Sequence, residues 1–293
     1  MPEKKTKKKA NKKEQTEISI GKDIQTFVTQ IECLRKAIDP TMSTLIKSVN
    51  KSETSLREWL STNATKKVGH NKEEYYELTT RHISALKQHH KELSSTALAT
   101  YHVPILFQVS LVSQYDAYLG RLLKSIFHIR PELLNSSQKN LTFSDLTTFP
   151  SIDAAREFVI EKEVDTILRD SHATHFDWME SKFGLPLRKE LPSWSKFIEV
   201  TERRNLFVHC DGIVSKQYIE ICNKHNVPIP SDLNIGNRLG VNAKYFRDSF
   251  ECIFEIGVKL GQVLWRKLKP DQIEEADISL INISFDLLEE ERY

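Results

Sequence analysis

Glycine and proline are both scarce in this sequence, with 9 and 10 in 293 residues. So few turn-formers cannot punctuate a many-stranded sheet, and they favour long helices instead. Cysteine is scarcer still. The four thiols, Cys33, Cys210, Cys222 and Cys252, are dispersed and offer no disulfide framework, which fits a reducing compartment. No run approaches the roughly 18 apolar residues of a membrane span. Nor does an apolar stretch follow the basic N-terminus as it would in a secretory leader. A cytoplasmic protein with no membrane partner is expected. Glycine-rich phosphate loops, Gly-x-Ser-x-Gly elbows and His-Glu-x-x-His pairs are all missing, which removes the commonest nucleotide, serine-hydrolase and zinc-protease signatures.

What is present is charge and helical periodicity. Charged residues make up 28% and hydrophobic residues 39%, enough for a core beneath a strongly ionic surface. The net charge of +2 conceals a division, because the first thirteen residues hold seven lysines and one glutamate and the remainder is mildly acidic. Residues 1–16 read as a disordered lysine-rich tail, either solubilising or giving a salt-sensitive attraction to nucleic acid.

From Ile24 to Leu34 the apolar residues recur at helical spacing, with a stop expected at Asp39-Pro40. A second helix is expected over 41–61, a polar loop over 62–71 and a mostly polar helix over 72–100. At Tyr101 the composition changes. The stretch 103–130 is dense in aliphatics and reads as a helix buried on more than one face, with Asp116 inside it. Amphipathic helices follow over 152–170, 172–183, 194–210, 214–224, 242–268 and 271–292. No alternating period is long enough for a sheet. The boundaries are 1–16 for the tail, 17–100 for an N-terminal helical region and 101–293 for the main helical domain. The fold class is all-α.

One segment carries the chemistry. On a helix turning about 100° per residue, Trp194, Phe197, Ile198, Thr201 and Val208 share an apolar stripe, and Asn205 falls within about 20° of Trp194. Glu202 and His209 lie on one shoulder and Arg204 on the other. An amide on an apolar face beside a cation and an imidazole needs partners. A structural network would meet that need, with Arg204 paired to a carboxylate such as Asp116. A phosphate-handling site would meet it too, since Arg suits bidentate phosphate contact and His moves protons near neutrality. Glu202 reads as a solvated or salt-bridging helix-end acid. His172 and His175 read as capping and surface residues. Cys222-x-x-His225, with His209 and Cys210, has ligand-like spacing, but adjacent residues diverge on a helix, so no metal site is expected. Phe250, Phe254 and Trp265 read as core.

The string from Glu202 to Val214, with Arg204, Asn205, His209 and Gly212 in its motif positions, resembles the signature of the HEPN superfamily, an Arg-x4-His motif near a helix end. Trp194 and Glu199 upstream, the doubled arginine and the Val208-His209 pair strengthen the likeness, which extends over about residues 101–270. The resemblance implies a HEPN-like helical bundle that pairs through this motif, here with an added N-terminal helical arm. It further implies a metal-independent endoribonuclease acting as a homodimer, a toxin or antiviral defence effector, with Arg204, Asn205 and His209 catalytic. RNA is the expected substrate, an antitoxin or defence-system protein a possible partner, and no cofactor is called for. The alternative is a non-catalytic HEPN-like module that binds a nucleotide or partner protein through the same face.

Overall fold

The computed structural model describes residues 19–69, 73–136, 141–189 and 191–292. The lysine-rich tail lies outside them. Among the described residues the chain is all-α apart from one small hairpin. Helix α1 runs Ile20–Asn63, strands β1 (Thr65–Val68) and β2 (Glu74–Glu77) pair antiparallel, and helix α2 runs Ile83–Ile129. Then come α3 (Phe143–Thr148), α4 (Ile152–Leu168), α5 (His172–Phe183), α6 (Trp194–His209), α7 (Lys216–Lys224), α8 (Ala243–Leu268) and α9 (Ile273–Glu289).

The core lies where the first half of α1, the second half of α2 and α8 meet. Phe27 stacks on Tyr118 with ring centroids 4.4 Å apart, and the Tyr118 hydroxyl donates to the Gly257 carbonyl at 3.0 Å. This approach requires glycine on α8: a Cβ on Gly257 would collide with the Phe27 ring, and one on Gly261 with Tyr118 and Ile24. Phe250, Phe254 and Trp265 are buried here, as read from the sequence. Residues 20–38 therefore share one core with the segment after Tyr101, and the boundary drawn at residue 100 falls inside a continuous helix.

Beyond Pro40 the two long helices leave the bundle as an antiparallel pair. Met42, Leu45, Val49, Ser52, Leu56 and Trp59 on α1 alternate steps of three and four and are buried or half-buried. Leu86, His89, Leu93, Thr96 and Thr100 on α2 do the same, which is a coiled-coil seam. Trp59 meets His89 at 5.4 Å near the hairpin end. The expected breaks at Pro40 and near residue 101 are absent, and Pro40 and Pro104 both sit inside helices. The expected loop at 62–71 contains β1, and β2 falls where a helix was expected. By length and composition α2 is also apolar enough to cross a bilayer, with an 18-residue window of mean hydropathy 1.2 in Thr80–Ile129, contrary to the reading from the sequence. Of that window, 22% is buried, so much of this apolar stretch lies on the protein surface.

Candidate functional site

Helix α6 divides its two arginines between two environments. Arg203 turns toward α7 and α8, where its Nε donates to Glu199 Oε1 at 2.6 Å and its guanidinium lies 3.9 Å from the Tyr245 ring centre. The hydroxyls of Tyr218 and Tyr245 donate to the same carboxylate, each at 2.9 Å. Glu199 is thus a buried, fully partnered anchor that fixes the rotation of α6. Arg204, one residue on, turns the other way.

Arg204 enters a cleft of ≈ 440 Å³ lined by residues of α2, α5, α6 and α7. Arg204 Nη2 donates to Asp116 Oδ2, and Nη1 donates to Asn205 Oδ1 at 3.3 Å. On the other oxygen of Asp116, His172 Nε2 lies at 2.8 Å. Burial alone would raise the Asp116 carboxyl, but the hydrogen bond from His172 and the charges of His172 and Arg204 hold it below the usual carboxylate range. A carboxylate only accepts, so His172 Nε2 carries a proton. Glu202 is buried in the same cleft. Its burial raises its carboxyl above the usual range, against the opposing pull of His172, the Asn205 hydrogen bond and Arg204.

His209 occupies the last turn of α6, exposed at the cleft mouth, and among the described residues its ring makes no hydrogen bond or ion pair. The turn behind it is tightly set. Asp211 and Gly212 take successive left-handed conformations, φ 52° and 74°. A side chain at Gly212 would also press on the Leu239 carbonyl at 3.0 Å. Leu239 N donates to Gly212 O and Val214 N to Asn237 O, both at 2.9 Å, so the 234–239 loop fixes the exit from the helix. Arg238 locks it further through Asp211 at 2.6 Å.

The cleft therefore unites Arg204, Asn205 and His209, the three residues singled out from the sequence, with Asp116, the partner named for Arg204. Other readings need correction. His172 and His175 are buried at 7% and 3% exposure, not surface caps, and His172 joins the cleft. Glu202 is buried rather than solvated. Val208 is 49% exposed and leaves the apolar stripe, while Asn205 is half-buried and lines the cleft. Ser193, just before α6, donates its hydroxyl to Glu255. Asp116 within an apolar helix signals the need for more than one donor, but does not say that His172 is the second. Among the described residues, no three His, Cys, Asp or Glu side chains stand where one ion could hold them, and all four cysteines are free thiols.

No known protein family, curated protein or solved structure matches the chain.

Proposed function

We propose that this protein is a HEPN-type, metal-independent endoribonuclease that works as a homodimer through the face of α6, as a toxin or antiviral defence effector. The observation that carries the reading is the convergence of Arg204, Asn205 and His209 in one cleft, with His209 unpaired at its mouth. Cleavage of an RNA phosphodiester needs three things that these side chains supply. As the 2′-oxygen bonds to phosphorus its proton must leave, and an imidazole can take it. The charge on the phosphorane oxygens must be met, which suits the guanidinium of Arg204. The bond from phosphorus to O5′ breaks, and that oxygen receives a proton. The products are a 2′,3′-cyclic phosphate and a 5′-hydroxyl. Two copies would bring two His209 side chains, one for each transfer, or would set His209 of one copy beside Arg204 of the other at each phosphate. Val208, 49% exposed, and Ile213, 40% exposed, give α6 and the turn after it an apolar rim beside His209 suited to such pairing.

A second reading has its own support. Arg204 is already bonded to Asp116, and a network of this kind can serve fold alone, leaving a non-catalytic module that binds a nucleotide or partner protein. Purified protein incubated with RNA and excess EDTA separates the two. The nuclease reading expects cleavage with cyclic-phosphate ends, and single alanine substitutions at Arg204, Asn205 or His209 that lower the rate by about two decades. Folded variants that still cleave at wild-type rate, or wild-type protein that cleaves nothing, would favour the module.

A further inference from the structure

Helix α9 is apolar on two opposite faces but is packed on one. Ala276, Ile283 and Leu287 turn inward against the bundle, and Arg266 of α8 ties the helix down through Asp277 at 2.5 Å. On the outer side Ile278, Ile281, Phe285 and Leu288 stand 59%, 64%, 58% and 60% exposed. Scattered surface aliphatics are ordinary, but four large ones in line along one helix form an interaction surface. Their spacing of three, four and three is that of a coiled-coil seam, with Ile278 and Phe285 at a positions and Ile281 and Leu288 at d positions.

The flanking positions identify the occupant. Beside such a seam, the e and g positions choose the partner by charge. On α9 they hold Glu275, Asp277, Asn282, Ser284 and Glu289, and the sequence from Ile273 to Glu291 contains no lysine or arginine. A second copy would set acid against acid at both ends of the contact, with only the neutral Asn282 and Ser284 between them. An anionic lipid surface or a nucleic acid would be repelled in the same way. The chain's own lysine-rich segment, residues 1–16, has the right charge, but Met1 is its only large apolar residue, so it cannot fill four seam positions.

We propose that the outer face of α9 is a docking site for a basic amphipathic helix of a partner protein, which lays aliphatic side chains between Ile278 and Leu288 and sets lysines or arginines against Glu275 and Glu289. This face is separate from the Arg204 cleft and independent of what that cleft does.

The test uses the full chain and a fluorescent synthetic peptide of three heptads with leucine at a and d and lysine at e and g. Anisotropy should show the lysine peptide binding at least about tenfold more tightly than its glutamate counterpart, with affinity falling as salt rises. The double variant Ile281→Ser/Phe285→Ser alters exposed residues, keeps the fold and should lose binding. Glu275→Lys/Glu289→Lys should reverse the preference between the two peptides. The proposal is overturned if the serine variant binds as well as wild type, or if both peptides bind alike. It is equally overturned if sedimentation shows a wild-type dimer that the serine variant dissolves, since the occupant would then be a second copy.

Discussion

His172 Nε2 sits 2.8 Å from Asp116 Oδ1, joining positions 56 residues apart, and the other oxygen of the same carboxylate holds Arg204. Asp116 is thus the hinge of a three-member line, and substitution there separates position from charge. Asp116→Asn keeps the shape but leaves one acceptor oxygen, so one contact weakens and the other donor faces an amide NH2 instead. It should cost about 1–3 kcal/mol at neutral pH, because Arg204 and His172 are left largely buried beside a weaker acceptor. If Arg204 meets the phosphorane, kcat should fall while KM changes little. Denaturant melts and initial-rate kinetics on RNA measure the two effects. An unchanged kcat with the expected loss of stability would mean that the line serves the fold alone.

His175 lies behind this line. Burial, and after it the neighbouring His172, pulls its imidazole from 6.5 to about 4. The unfolded chain therefore takes the proton first. Stability contributed by the neutral ring is complete above about pH 6.5 and is lost as pH falls toward 4, by on the order of 3 kcal/mol. His175→Leu should flatten the acid limb of the stability curve in that window. A wild-type and a variant curve that run parallel from pH 7 to 4 would show that His175 titrates normally.

Glu202 has the opposite sign. Its carboxyl is raised in the folded state, so its favourable contribution belongs to low pH and disappears as pH climbs through the folded value. Glu202→Gln keeps an acceptor for Asn205 and removes the buried charge. The variant should melt a few degrees above wild type at pH 8, and the gap should close near pH 4. A variant less stable than wild type at pH 8 would count against the assignment.

A composite site can be separated from a self-contained one with mixed dimers of a His209→Ala chain and an Arg204→Ala chain. If each phosphate is handled by residues of both copies, one intact combination forms and part of the cleavage returns. The cleft of a single chain also holds His172, so a one-chain site has a second imidazole available. In that case the mixed dimers stay as inactive as either parent.

Much of this architecture can be read from apolar spacing, and the failures have physical causes. Helix α5 ends where expected, closed by Gly184 in the left-handed conformation, and α8 begins where expected, capped by the Asn242 side chain. Pro40 predicts a stop, since proline removes a donor and crowds the preceding turn. In the fold it costs one bond to the Lys36 carbonyl on an exposed stretch, and the seam on either side carries the helix through. The hairpin gave no alternation because every residue of both strands is exposed. At the site, Arg204, Asn205 and His209 are neighbours on one helix and could be found by a helical wheel. His172 reaches them only because α2 and α5 pack together, and no local pattern encodes that.

The close fit of α1 to α8 gives a check on the core itself. Gly257→Ala would push a methyl into the Phe27 ring and should destabilise the protein by about 1–3 kcal/mol, read as a lower denaturant midpoint. An unchanged midpoint would mean that residues 20–38 are not integral to the bundle.

Helix α1 is one unbroken rod, yet its two halves answer to different clocks. Before Pro40 it buries Ile24, Phe27 and Ile31 completely, whereas beyond Pro40 its one buried side chain is Ser52. Backbone amides in the inner half can exchange with deuterium only when the whole bundle comes apart. Those of the outer half need only a partial unzipping that starts at the hairpin, with Ser52, His89 and Thr96 as its weakest teeth. A protease would meet the same gradient, cutting in the arm long before it reaches the bundle, and the fragment left behind would still hold the cleft intact.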